Sequence, residues 1–194
     1  MKDSYYADKR DLVKWGALVH LACRHRIKKI VQVGFLRSDS QASLSFGSEE
    51  VEFPTPVWKH FRSPQHIEEL GRLSDVEIDL FDTVFEPVQR QAYVENACSY
   101  LRKLNVGKIV LLDPDTGIEP DSGCKSEHIS EREVSLFWQA LAPGDWLVIY
   151  QHKSRQPDWS ERRHAKFRSA CNSAKVVTIK SKIAADVVLF AARR

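Results

Sequence analysis

Asp113 and Asp115 stand one residue apart where an apolar run ends, in Lys108-Ile-Val-Leu-Leu-Asp113-Pro114-Asp115-Thr116-Gly117. Such a run predicts a buried strand that delivers acid to a sheet edge. In open α/β sheets, ligands bind outside the carboxyl ends of the strands, which places both carboxylates where such a fold does its chemistry. The same residues are also good turn formers, because Pro114 fixes φ and Gly117 tolerates positive φ. A second apolar stretch, Trp146 to Tyr150, ends in Gln151 and His152. If its strand neighbours the first, His152 is a candidate acid, base or ligand, and Gln151 can meet an amide or a base edge. Asp8, Asp11 and Lys14 recur at steps of three, so they share one helical face and can line a pocket mouth, with Lys14 as an electrostatic stabiliser. Acid near a helix start is also favourable for the helix itself.

These side chains need elements to position them. From Asp8 to His25, Leu12, Trp15, Leu18, Val19 and Ala22 recur with helical spacing, and Lys29 to Leu36 follows as a first strand. The stretch from Gly47 to Pro64 predicts a weak strand at Val51 to Phe53 or an irregular insertion. A short helix over 65–72 and an edge-like strand over 76–81 come next. Pro87 opens a helix that runs to about Leu104, where Asn105 and Gly107 stop it. Ser130 with Glu133 three residues on is a capping-box pattern, and Pro143 and Gly144 end that helix. A basic helix over about 158–172 precedes two strands, 175–180 and 186–191, spaced for a hairpin. Strands alternating with helices predict a mostly parallel, three-layer, Rossmann-like α/β sheet with a C-terminal antiparallel hairpin as its edge.

The 194 residues, 43% hydrophobic, suffice for one sizeable core, so residues 1–194 are read as a single α/β domain. Cys23, Cys98, Cys124 and Cys171 form no C-x-x-C pair, and no secretory leader or membrane-length apolar run is present, which predicts a reduced, cytoplasmic chain with no membrane partner. Neither a Gly-x-Ser-x-Gly elbow nor a P-loop occurs. The net charge of +3 identifies no partner, but its distribution does offer one. Arg155, Arg162, Arg163, Lys166 and Arg168, with a second cluster at Arg24, Arg26, Lys28 and Lys29, are candidate contacts for nucleic acid phosphates. Trp15, Trp138 and Trp146 are expected in the core, and Trp58 and Trp159, in polar surroundings, as possible stacking platforms for a base. His20, His25 and His128 lack zinc spacing and are expected at the surface.

The order of elements resembles the class I S-adenosylmethionine-dependent methyltransferase fold. Asp113-Pro114-Asp115-Thr116 lies where amino-group methyltransferases of that class carry a D-P-P-Y-type tetrapeptide. That resemblance implies that Asp113 and the Pro114 carbonyl accept hydrogen bonds from an amine of a nucleic acid or nucleotide. It also implies S-adenosylmethionine as cofactor, near Gly34 and Asp39 with Asp8 and Asp11 beside them. The N-terminal Asp8 to Gly16 is similar to the helix before the first strand in ribosomal RNA adenine methyltransferases. Taken together, Asp11 to Gly16, Asp113 to Gly117 and Gly144 to His152 resemble a group of small, uncharacterised bacterial proteins.

The chain departs from the methyltransferase pattern in two places. One glycine, Gly34, replaces a glycine-rich turn, and Asp115-Thr116 replaces Pro-Tyr, removing an aromatic and adding a charge. An apolar strand followed by Asp-x-Asp also resembles the metal segment of Toprim nucleases and of haloacid-dehalogenase phosphatases. That implies a second activity, a Mg²⁺-dependent nuclease or phosphodiesterase, with Asp113 and Asp115 as ligands and His152 as acid or base. A third reading is a non-catalytic nucleic-acid or protein-binding module that keeps the fold.

Overall fold

The computed structural model describes residues 8–35, 43–46, 49–52, 65–81, 83–173 and 175–194. Helix α1 (Lys9–His25) begins where Asp8, in extended backbone, accepts hydrogen bonds from the amides of Arg10 and Asp11. It ends where Arg26 turns left-handed at φ 55° and its amide reaches back to the carbonyls of Ala22 and Cys23. Strand β1 (Lys29–Gly34), the short pair β2 (Ser43–Phe46) and β3 (Glu49–Glu52), helix α2 (Gln65–Ser74) and strand β4 (Glu77–Phe81) follow. A 3-10 turn over Pro87–Gln89 leads into α3 (Arg90–Lys103) and then β5 (Lys108–Asp113). Two-residue strands β6 (Gly117–Ile118) and β7 (His128–Ile129) precede α4 (Glu131–Ala140), β8 (Trp146–His152), α5 (Trp159–Ala170), β9 (Val176–Lys180) and β10 (Val187–Arg193).

Six strands form the central sheet in the order β4-β1-β5-β8-β10-β9. The first four are parallel, and β10 runs antiparallel to both its neighbours. The chain therefore builds outward from β1 in one direction to β4 and in the other to β5 and β8. The reversal falls between β1 and β5, whose last residues, Gly34 and Asp113, are register partners.

Alternation along the strands divides the apolar side chains into two layers. Val31, Val33, Val110, Leu112, Leu147 and Ile149 pack with Tyr93, Val94, Val134, Phe137 and Phe167 of α3, α4 and α5. On the other face Ile30, Ile109, Leu111, Trp146, Val148 and Tyr150 pack with Val13, Trp15, Leu18 and Leu21 of α1, and Leu70 of α2 joins them. Burying a side chain of this kind contributes roughly 1.5–3 kcal/mol. The expected mostly parallel, three-layer α/β sheet is thus what forms.

The C-terminal hairpin forms the antiparallel edge of the sheet, as expected. Its second strand lies inside the sheet rather than at the edge. Val187 to Ala192 are all buried and carry no charge, so they need a neighbour on both sides. By contrast, β9 has exposed Val177 and Lys180 and tolerates the edge. The capping box forms as read: Ser130 Oγ accepts from the Glu133 amide at 3.2 Å, and Glu133 Oε2 accepts from the Ser130 amide at 2.8 Å. That glutamate also takes Arg90 Nη2 at 2.7 Å, which joins α3 to α4. Trp15 and Trp146 are core as expected, but Trp159 is buried too, in the layer with Phe167, and offers no open stacking face. Trp58 lies outside the described residues. His20 is exposed as expected, while His25 is half-buried against the Trp146 ring at 4.7 Å. His128 is half-buried as well, and its Nδ1 accepts from the Lys125 amide at 3.1 Å.

Candidate functional site

A cleft of about 300 Å³ opens at the carboxyl end of β5 and β8, against the first turn and a half of α1. It is lined by Asp8, Arg10, Asp11 and Lys14 from the helix start, by Asp113 to Thr116 after β5, by Tyr150 and His152 from β8, and by Glu127. Period-two alternation decides which strand residues reach it. Asp113 follows Ile109 and Leu111 on the α1 face, and Tyr150 and His152 continue the face of Trp146 and Val148.

Lys14 is the centre of the charge arrangement. Its Nζ sits 2.7 Å from Asp11 Oδ1 and donates to Asp113 Oδ2 at 3.0 Å, and the residue is 3% exposed. Gln32, two residues before Gly34 on the same face, donates Nε2 to that same Oδ2 at 2.6 Å. Burial works against the lysine charge, but Asp113 and then Asp11 outweigh it, so the ammonium is held above its ordinary pKa. Asp113 Oδ1 makes no hydrogen bond among the described residues. Of this carboxylate, one oxygen is fixed and the other is left to the cleft.

The rim is organised by Arg10, whose Nε and Nη2 donate to Asp186 Oδ2 at 2.9 and 2.6 Å. Asp186 directly precedes β10, so the helix start is tied to the inserted strand. Tyr150 lies with its ring centroid 5.4 Å from Lys14 Nζ and edge-on to His152 at 5.0 Å. Its phenol is pushed well up, first by burial and then by the Asp113 carboxylate, against an opposing pull from Arg10. His152 is pushed down, first by burial and next by Arg10, with Asp186, Asp113 and Asp8 opposing. Neutral imidazole is therefore the favoured form at neutral pH.

Six residues singled out in the sequence meet here: Asp8, Asp11, Lys14, Asp113, Asp115 and His152. Gln151 does not line the cleft. Standing between Tyr150 and His152, it points to the opposite face. There its Oε1 accepts from the Ile118 amide at 2.8 Å, and its Nε2 donates to the carbonyls of Thr116 and His152 at 2.9 and 2.8 Å. Gly117, at φ 112°, lies against this carboxamide. Gln151 thus holds the turn that follows the acidic pair. Gly34 adjoins Asp113 in register, and its carbonyl accepts the Tyr93 hydroxyl. Asp39 lies outside the described residues.

Sequence reasoning did not find Arg10, Gln32, Glu127, Tyr150 and Asp186. The signal for Gln32 and Tyr150 was available: each is two residues from a position already placed on the site's face or edge. Glu127 and Asp186 carry no such signal, because the loops that deliver them have no period.

The basic helix α5 is largely engaged within the chain. Arg162 meets Asp158 at 2.7 Å and Asp121 at 3.1 Å, and Lys166 meets Asp121 at 3.0 Å. Arg163 is 2% exposed, and its Nη1 is buried without a hydrogen-bond partner among the described residues. Arg155, Arg162 and Arg168 of that set stand exposed, and of these three Arg162 is the one held in ion pairs. Among the described residues no group of three or more His, Cys, Asp or Glu side chains is arranged to hold a metal ion, and no helix is long and apolar enough to cross a membrane.

No family model and no curated protein matches the chain. Solved structures do resemble it. One is a release factor-specific protein-(glutamine-N5) methyltransferase from Alicyclobacillus acidocaldarius, at 12% identity and TM-score 0.44, with 100% of this chain and 98% of that one covered. A putative methyltransferase from Thermobifida fusca follows at 12% identity and TM-score 0.45, covering 95% and 80%. The N-methyltransferase NodS from Bradyrhizobium japonicum is similar at 11% identity and TM-score 0.38, covering 97% and 98%. Likeness this distant leaves the chemistry to be read from the chain's own residues.

Proposed function

We propose that this chain is a methyltransferase-like enzyme that acts on an amine at the Asp113 cleft. The observation that carries this reading is the position and state of Asp113. It ends the strand beside the topological reversal, where open α/β sheets bind their ligands. One of its oxygens is locked by Lys14 and Gln32, and the other is left to accept an N–H.

S-adenosylmethionine fits this place by charge. Its sulfonium and ammonium outweigh its one carboxylate, so it is a net cation, and the cleft presents five carboxylates against Arg10 and Lys14. Asp8 and Asp11, with the Gly34 end of β1, are the described residues that would hold it, and the group would supply an electrophilic methyl. The chain's own part is positioning. Asp113 Oδ1 and the Pro114 carbonyl would take the amine hydrogens and so orient the nitrogen lone pair. His152, kept neutral, is the base in the cleft able to receive the proton the nitrogen must lose. Gln32 and Lys14 prevent Asp113 from rotating. The sequence suggested an amine of a nucleic acid or nucleotide, approached through the basic residues in and before α5, and exposed Arg155, Arg162 and Arg168 remain as contacts for that partner.

The test is methyl incorporation from labelled S-adenosylmethionine into small amines and into RNA by the purified chain, with and without Mg²⁺. The expected result is Mg²⁺-independent transfer, reduced at least 100-fold in Asp113→Asn. Metal-dependent phosphodiester cleavage in its place, lost in the same variant, would overturn the reading in favour of phosphoryl chemistry.

A further inference from the structure

The polar atoms left over in the cleft define the ligand more closely than the fold does. Tyr150 is 7% exposed and lines the cleft, yet its hydroxyl makes no hydrogen bond among the described residues. The ring is buried while the hydroxyl oxygen opens to the cleft, where it is free to meet a ligand. The second open atom is Asp113 Oδ1. One is a neutral oxygen and the other a carboxylate oxygen, and both can accept. The charged donors of the cleft are already engaged: Arg10 by Asp186, and Lys14 by Asp11 and Asp113.

The surrounding charge has the same sense. Asp8, Asp11, Asp113, Asp115 and Glu127 face the cleft against Arg10 and Lys14, with Tyr150 and His152 neutral. A phosphate would enter against that field. A neutral nucleobase gains nothing from that field, and Thr116 stands where the amino-group methyltransferases carry their stacking aromatic. An ammonium group has three donors, no acceptor and a positive charge. A volume of about 300 Å³ is at the small end for ligand pockets, enough for a short alkyl chain.

We propose that the cleft binds a protonated primary aliphatic amine, whose ammonium donates to Asp113 Oδ1 and the Tyr150 hydroxyl while the cleft carboxylates attract it. The inference rests on reading this cleft as an amine site, and it concerns binding alone. A small diamine and a lysine side chain share this chemistry.

The experiment is titration calorimetry of the full chain at pH 7.5 and low salt, with no methyl donor present. The probes are putrescine, Nα-acetyl-lysine amide, adenosine and adenosine monophosphate. Saturable binding of either amine, at least 10-fold tighter than adenosine, is the expected result, and the probe that binds identifies the source of the ammonium. Tyr150→Phe removes only the hydroxyl and is expected to weaken the amine about 5-fold. Asp113→Asn also breaks the Lys14 pair, so the decisive comparison is the phenylalanine variant. The proposal is overturned if neither amine binds, if adenosine or its monophosphate displaces the amine at equal or lower concentration, or if Tyr150→Phe leaves amine affinity unchanged. A chain that binds putrescine but never methylates an amine keeps this inference and loses the proposed reaction.

Discussion

Replacing Lys14 by methionine keeps the side chain out to Cε and deletes the ammonium that joins Asp11 to Asp113. Both partners in the pair are buried, with side chains 4% and 3% exposed. Removing one member of a buried ion pair costs about 3–5 kcal/mol, because the other charge is left uncompensated. In a chain of this size each kcal/mol moves Tm by about 2–4 °C, so the expected fall is roughly 6–20 °C. An exposed pair would instead be worth about 0–1 kcal/mol and a few degrees at most. Thermal unfolding followed by circular dichroism separates the two cases, and a urea titration at pH 7.5 checks the free energy. The sign with pH follows from the raised lysine pKa. The stabilisation is complete below the unfolded value of about 10.4 and fades only as pH rises through the higher folded value. The gap between wild type and Lys14→Met should therefore stay level from about pH 6 to 9. A variant whose Tm stays within about 2 °C of wild type, or a gap that has closed by pH 9, would refute the account of Lys14 as the buried counter-charge of the site.

Three further outcomes are expected. His152 is depressed by burial and by Arg10, so its neutral form is retained as pH falls through the ordinary value of about 6.5 and lost only below it. A rate that needs the free imidazole should show its acid limb below 6.5, and that limb should vanish in His152→Asn; a limb at or above 6.5 counts against the assignment. Gly117→Ala places a Cβ into the Gln151 carboxamide at φ 112°, and should cost about 1–3 kcal/mol in denaturant unfolding, whereas a neutral result would mean the turn is not held by Gln151. Arg163→Met removes a buried guanidinium with an unpartnered Nη1, so stability should be unchanged or higher by about 1 kcal/mol, and RNA binding should be unaffected; weaker RNA binding would show that Arg163 reaches the partner after all.

The elements that were legible in the sequence are those whose pattern is fixed by burial. Helix α1, the capping box at Ser130, and strands β5 and β8 lie within a residue or two of where periodicity puts them. The acidic pair, the helix-start carboxylates and His152 were legible for the same reason, since each terminates a periodic element. Three things required the structure. That β10 inserts beside β8 is settled by competition between two strands for a covered position, which local pattern only hints at. The engagement of Arg162 and Lys166 depends on Asp121 and Asp158, and Asp121 is 41 residues from Arg162. Gln151 was assigned to the cleft from its proximity to His152, although alternation sends neighbours on a strand to opposite faces.

The hydrogen bond from Gln32 to Asp113 also bears on how the sheet chooses its pairing. Between their opening lysines, Lys29 and Lys108, and their last residues, β1 and β5 are otherwise aliphatic, and an aliphatic stretch can slide along its neighbour with little change in apolar contact. A slip of one residue would turn Gln32 into the layer of Val31 and Val33 and leave the Asp113–Lys14 pair without its third member. Gln32, Asp113 and Lys14 thus act as a polar key between β1, β5 and α1, admitting one alignment and rejecting its neighbours. The arrangement that prepares the carboxylate for a ligand is the one that tells the two strands where to stop.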